Sequence, residues 1–294
     1  MEPVHPVATL PVKPGEPFSK GASMGGIFVE QGKLTPKDIE RVLGIQKRHG
    51  LRFGEAAQLL NLVTETDVQQ ALARQFDYHY LQPGEGKYPP ELVAAYQPFS
   101  PQVETLRAVR TQLMQHWFGR GKRTLALAGV NQGEGVSLFA ANLAVVFAQL
   151  GERTLLIDAN LRRPRQHEIF GLSARQGLSD ILANRAGIET FSKVDSFIHL
   201  AVLPAGTRPP NPQELISRDS FDEVSESLAS RFDVILIDVP AFSAGADALA
   251  IAARVGGVLL VCRKDVTNLT ELDAVSVQLG RAGAEVVASV LVEF

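Results

Sequence analysis

The stretch from Leu125 to Gln149 restricts the possible folds of this 294-residue chain more than any other. An apolar strand, Leu125-Ala126-Leu127-Ala128-Gly129, leads through the glycine-rich turn Gly133-Glu134-Gly135-Val136-Ser137 into Leu138 and an apolar helix. A strand, a glycine turn and a helix N-terminus together aim backbone N–H groups and a positive dipole end at one spot, which makes an anion site. Loops of this kind carry a lysine just before the Ser or Thr; it reaches the β- and γ-phosphates of a nucleotide, while the hydroxyl goes to Mg²⁺. Here Val136 stands in the lysine position and Ser137 keeps the hydroxyl. The loop predicts a nucleotide fold and lacks the cation on which nucleotide chemistry relies.

Two further apolar strands each deliver an acid to a sheet edge, Leu155-Leu156-Ile157-Asp158 and Val234-Ile235-Leu236-Ile237-Asp238. One such strand is weak evidence, because aspartate is common as a helix N-cap. Two of them downstream of a glycine loop and its serine point to a P-loop NTPase, with Asp238 in the metal-holding position of the second acidic strand. From residue 101 onward, strands near 124–129, 153–158, 199–203, 233–239, 257–263 and 285–292 alternate with helices near 102–117, 136–150, 176–184, 219–230, 246–254 and 268–282. This βαβ rhythm predicts an α/β fold, a mostly parallel sheet with helices on both faces and its ligand at the strand C-termini.

A net charge of -3 gives no drive toward nucleic acid or an anionic membrane surface. No apolar run approaches the roughly 18 residues that cross a bilayer, and the proline-rich start lacks the apolar region of a signal peptide. The single cysteine, Cys262, excludes an internal disulfide and sits in an apolar strand as a small core hydrophobe. These features predict a cytoplasmic protein.

Residues 1–20 hold five prolines and no periodicity, and read as a flexible leader. Residues 21–81 read as a small helical domain with an internal repeat: Leu34-Thr35-x-x-Asp38-Ile39, Leu43 and Gln46 recur 29 positions later as Val63-Thr64-x-x-Asp67-Val68, Leu72 and Gln75. In each copy the Thr and the Asp three residues on form a capping-box-like helix start. Residues 82–100, with Pro83, Gly84, Gly86, Pro89, Pro90 and Pro98, read as a linker, and the four tyrosines Tyr78, Tyr80, Tyr88 and Tyr96 lie in or beside it. The P-loop domain takes residues 101–294.

The helical region resembles the N-terminal domain of type II secretion and pilus ATPases, through Gly25-x-x-Phe28-Val29-x-x-Gly32-x-Leu34 with Ile39, Leu43 and Gln46, and through Arg52-Phe53-Gly54 with Val63, Val68, Leu72 and Gln75. In some relatives this module binds cyclic di-GMP through an arginine in each repeat's opening, which makes Arg52 and Gly54 a candidate site. The first copy has Ser23 there, and Asn61 stands where a glycine is expected. A docking module without a ligand is the plainer reading.

The C-terminal region resembles the bacterial tyrosine kinases of exopolysaccharide chain-length control. The resemblance is carried by Gly133-Glu134-Gly135-x-Ser137 with Asn142-Leu143-Ala144, Asp158 through Arg162-x-Pro164, Leu203-Pro204-Ala205-Gly206 with Pro209-Pro210-Asn211-Pro212-x-Glu214-Leu215, Asp238-x-Pro240, and Glu104-x-x-Arg107-x-x-Arg110. It implies ATP held by residues 133–138, Asp158 as catalytic base toward a tyrosine hydroxyl, and Mg²⁺ held by Ser137, Asp238 and position 160. It also implies a homo-oligomer joined through Glu104, Arg107 and Arg110, and attachment to the inner face of the membrane through a membrane-anchored polysaccharide co-polymerase. On the residues alone, Glu104, Arg107 and Arg110 read equally as a salt-bridged solvent face.

Three departures count against full activity. Val136 removes a phosphate-binding charge, Asn160 replaces an aspartate, and the chain stops at Phe294 without a tyrosine cluster. Phosphoryl transfer rests on positioning and electrostatics, and one preorganised contact is worth about 10²–10³ in rate. Lys122 and Arg123 precede the strand and are expected at its wrong end. The alternatives are a pseudokinase scaffold and, below it, a partitioning-type positioning ATPase, whose extra early-loop lysine is missing from Gly129, Val130 and Asn131.

Overall fold

Burial on both faces demands a continuously apolar strand, and the runs that end in Asp158 and Asp238 meet that demand over their whole length. A computed structural model describes residues 23–75, 80–81, 85–173 and 175–293, and the chain divides into two units, residues 1–78 and 79–294. The expected leader 1–20, Tyr78, Pro83, Gly84 and the terminal Phe294 lie outside the described residues.

The first unit contains α1 (Met24–Glu30), α2 (Pro36–His49), α3 (Phe53–Leu59) and α4 (Glu65–Gln75). Its halves start their long helices with the same device. The Thr35 hydroxyl accepts from the Asp38 amide at 3.3 Å while the Asp38 carboxylate accepts from the Thr35 amide at 3.1 Å. The Thr64–Asp67 pair repeats this at 3.2 and 2.8 Å. Asn61 has φ 53°, matching Gly32 at φ 68° in the first copy. Asparagine tolerates this left-handed region, so it takes the glycine's place. Ile27, Phe28, Leu34, Val42 and Val63 form the core, whereas Leu43, expected among the apolar positions, is 50% exposed.

Gly54 has a packing reason of its own. A Cβ there would lie 2.6 Å from Val68 Cγ1, on a β-branched side chain of α4 that has little rotamer freedom in a helix. Gly54→Ala gains helix propensity of about 0.5–1 kcal/mol but overpacks a site worth about 1–3 kcal/mol. A net loss of stability is expected, read as a lower urea midpoint; an unchanged midpoint would show that α3 and α4 separate freely.

In the second unit come α5 (Val93–Tyr96), α6 (Pro101–His116), β1 (Thr124–Ala128), α7 (Val136–Gln149), β2 (Thr154–Asp158), α8 (Gln166–Ile169) and α9 (Leu178–Leu182). β3 (Ser192–Lys193), β4 (Leu200–Leu203), α10 (Pro212–Ile216), α11 (Ser220–Ala229), β5 (Val234–Asp238), α12 (Asp247–Val255), β6 (Gly257–Arg263), α13 (Leu269–Arg281) and β7 (Glu285–Val292) complete it. The seven-stranded sheet runs β3-β4-β2-β5-β1-β6-β7. Every pairing is parallel except that of β3, a two-residue antiparallel edge outside the expected strands. Alternate residues feed two cores: Leu125, Leu127, Leu156 and Leu236 face α5 to α7, while Ala126, Leu155, Ile157 and Ile237 face α9 to α13. Cys262 is buried, and burial pushes its thiol pKa up, as suits a core hydrophobe.

Residues 85–100 pack with the second unit, where a linker was expected. Leu92, Ala94 and Ala95 are fully buried in the core against α7. Asn142 explains why: its Oδ1 accepts from the Ala94 amide at 2.9 Å, and its Nδ2 donates to the Glu91 and Leu138 carbonyls at 3.0 Å. Tyr88 adds ring contacts to Phe170 and Phe197, and its hydroxyl donates to Ser196 at 3.0 Å. Among the described residues, no helix is long and apolar enough to cross a membrane.

Candidate functional site

Parallel pairing sets Asp158 directly beside Asp238 at the C-terminal ends of β2 and β5, and both are fully buried. The glycine loop leaves the neighbouring β1 on the other side of β5. Gly133 and Gly135 adopt φ 87° and 78°, which a residue with a Cβ resists, and α7 starts immediately after them. The loop is braced from beneath. Glu134, expected to touch nucleotide, is fully buried, and its carboxylate accepts from the Asn131 amide at 3.0 Å and the Thr267 hydroxyl at 2.6 Å. The carbonyls of Gly129 and Val130 accept from the Phe242 and Ser243 amides at 3.0 Å. Glu134 is therefore a structural brace that leaves only its backbone to the anion site.

Val136 is 8% exposed and belongs to the apolar core that backs α7. Lys122 lies over the Trp117 ring and Arg123 bonds Asp233 at 3.2 Å, before the first residues of β1 and β5. Both cations sit at the far end of the sheet, as expected.

The acids are held differently. Asp158 accepts three backbone N–H groups, from Asn160 at 3.2 Å and from Arg165 and Gln166 at 2.9 Å each. Burial and the adjacent Asp238 carboxylate nevertheless raise its pKa above the ordinary carboxylate range. Asp238 is raised by burial too, while the Gln166 amide, the Ser137 hydroxyl and the charge of Arg165 pull it back. Its Oδ2 accepts from Gln166 Nε2 at 2.7 Å, and its Oδ1 has no partner among the described residues. Gln166 Nε2 also donates to the Ser137 carbonyl at 2.9 Å, and its Oε1 is likewise buried and unpaired. A buried unpaired oxygen is costly, so the two orphaned acceptors mark a place for a cation or its water. Among the described residues no three His, Cys, Asp or Glu side chains gather as metal ligands. Mg²⁺ suits such a sparse set, since it takes one or two carboxylates and completes its octahedron with phosphate oxygens and water.

Asn160 Oδ1 accepts from the Arg163 amide at 3.1 Å, so it shapes the loop after β2. Arg162 forms a bidentate pair with the buried Asp247 at 2.6 and 3.0 Å, tying that loop to α12. Asn211 and Pro212 sit at the N-cap and first turn of α10. On α6, Glu104 and Arg107 pair with each other, and Arg110 Nη1 donates to the Val146 carbonyl of α7 at 2.9 Å. Arg110 is thus turned onto its own chain. In the other unit, Arg52 is the N-cap residue of α3, with its amide on Glu55 Oε2 at 2.7 Å. Gln166 and Arg165 escaped sequence reading; a polar pair after an expected turn carries no periodic signal.

Comparison with known proteins identifies the family and the fold. The family described as cellulose biosynthesis protein BcsQ matches residues 122–282. Tyrosine-protein kinase Wzc of Salmonella typhi is 34% identical over 201 residues, 68% of this chain and 28% of the relative. Tyrosine-protein kinase YwqD of Bacillus subtilis is 35% identical over 177 residues, 60% of this chain and 75% of the relative. The solved kinase domain of Escherichia coli tyrosine kinase ETK superposes with a TM-score of 0.67 at 29% identity, covering 74% of this chain and 84% of that one. The chain spans less than a third of the length of Wzc.

Proposed function

The chain belongs to the bacterial tyrosine kinases of the P-loop class, and on that premise we propose that it is a nucleotide-binding, kinase-like protein of exopolysaccharide synthesis or export and chain-length control, with phosphoryl transfer reduced or lost. The observation that carries this reading is the pairing of an intact acidic centre, Asp158 and Asp238, with a loop whose lysine position is a core-packed valine. The fold retains the anion site of the α7 N-terminus and the two carboxylates. Its glycine loop lacks the lysine that would draw the β- and γ-phosphates into line from beneath.

In this reading ATP lies along residues 133–138, and Mg²⁺ is held by Ser137 and Asp238 with the Asn160 carbonyl nearby. Asp158, gripped by three amides, orients the loop after β2 and is the candidate base. The setting is the inner face of the membrane, reached through a membrane-anchored polysaccharide partner, with exposed Glu104 and its half-buried partner Arg107 available to a second copy. Cyclic di-GMP has less support, because the packing against Val68 already accounts for Gly54.

Calorimetry with ADP–Mg²⁺ beside radioactive phosphate transfer from ATP tests the proposal. Weak binding with no transfer to itself or to a tyrosine polymer is expected. Transfer at the rate of an active relative would overturn the claim of lost catalysis. A second reading, a scaffold that binds no nucleotide, is favoured by one observation: the Gln166 amide already bridges the Ser137 carbonyl and Asp238. Absence of ADP binding would select it.

A further inference from the structure

Resting on the nucleotide reading above, we propose that Arg165, on the loop between β2 and α8, supplies the phosphate-binding charge that Val136 no longer provides. The loop after β2 curls back over the acidic centre. The Arg165 amide donates to Asp158 Oδ2 at 2.9 Å, and the next residue, Gln166, reaches both the Ser137 carbonyl and Asp238. Arg165 is thereby anchored one residue from the junction of the glycine loop, β2 and β5, where the phosphates of a bound nucleotide must lie. Its side chain is exposed and makes no ion pair among the described residues.

Most other cations of this region are committed; Arg163, two residues earlier on the same loop, is exposed as well and serves as the control below. Arg162 is paired with Asp247, Arg263 donates to the Gly133 carbonyl at 3.2 Å, and Lys122 and Arg123 are at the opposite end of the sheet. Arg165 is also the cation whose charge favours the ionised form of Asp238, so its guanidinium acts on the acid expected to hold the metal. A guanidinium binds phosphate oxygens with two parallel N–H groups, and an arginine reaching in from a neighbouring loop can replace a lysine rising from beneath. The ligand class is a nucleoside di- or triphosphate.

Affinity of the full chain for fluorescent ATP, ADP and AMP, each with Mg²⁺, tests this. Arg165→Ala is expected to weaken ATP and ADP by about 10-fold or more, the scale of a charge-assisted phosphate contact, and to leave AMP nearly unchanged. Arg165→Lys should recover most of the loss, and Arg163→Ala on the same loop should show none. Introducing Val136→Lys should shrink the effect of Arg165→Ala, because the two cations serve the same phosphates. Equal ATP affinity in wild type and Arg165→Ala, or an equal loss for AMP, overturns the proposal while the nucleotide reading stands. A wild type that binds none of the three overturns both.

Discussion

Val136→Lys is expected to raise the affinity for ATP–Mg²⁺ by about 10–100-fold, the value of one charge-assisted contact to phosphate. The position sits at the first turn of α7, where the helix dipole already favours an anion. Burial in the core does not forbid the change. A lysine stem is apolar and can take over the packing of the valine while its ammonium extends toward the loop. Against this stands the crowding at Gly129, whose added Cβ would lie 3.0 Å from Val136 Cγ2, so little room exists for a disordered side chain. The ammonium is repelled by the N–H donors of the empty loop, and the gain comes when both act on the same bound phosphate, where it exceeds the packing cost. Affinity measured by calorimetry and stability measured by thermal unfolding separate the two effects. Unchanged affinity in a folded variant would mean that the loop no longer receives phosphate. Transfer activity should stay low in the single variant and rise further when Asn160→Asp is added, since two contacts at one phosphate centre act together.

The parts legible in the sequence are those in which local pattern and global burial coincide. The runs ending in Asp158 and Asp238 are apolar because both faces of β2 and β5 are covered, so a reader of the chain sees the strand and its acid at once. The capped helices of the first unit are legible for a similar reason: Thr35 with Asp38, and Thr64 with Asp67, satisfy backbone groups three residues away. What escaped depends on distant partners. The prolines and glycines of 82–100 read as a linker, and nothing local shows that Asn142, 48 residues beyond Ala94, will satisfy its backbone and draw Leu92 into the core. Arg110 falls within a motif that reads as an outward face, and only the approach of α7 turns it onto the Val146 carbonyl. Gln166 gave no signal, because its role comes from the meeting of three segments: the loop after β2, the start of α7 and the end of β5.

Stability without metal should fall as pH rises through neutrality, and Asp158 is the residue to test for the cause. Its pKa in the fold is pushed up to about 8, first by burial and then by the Asp238 carboxylate, and Asp238 is raised as well. A carboxyl raised on folding binds its proton more tightly in the native state than in the unfolded chain. Its contribution is therefore fully present below the ordinary carboxylate value near 4 and is lost as pH climbs toward about 8. Opposing this, three backbone amides favour the ionised form of Asp158, yet burial of two acids side by side outweighs them, since like charges on adjacent strands cannot both ionise cheaply. Between pH 5 and 8 the loss should be read as a steady fall in melting temperature. Asp158→Asn removes the titrating group while keeping an oxygen for the amides, and should flatten the profile. Millimolar Mg²⁺ with ADP should flatten it as well, because a bound cation favours both ionised carboxylates. A wild-type profile identical to that of Asp158→Asn would show that the pair carries no shared proton, and that something other than the two acids already neutralises the end of β2 and β5.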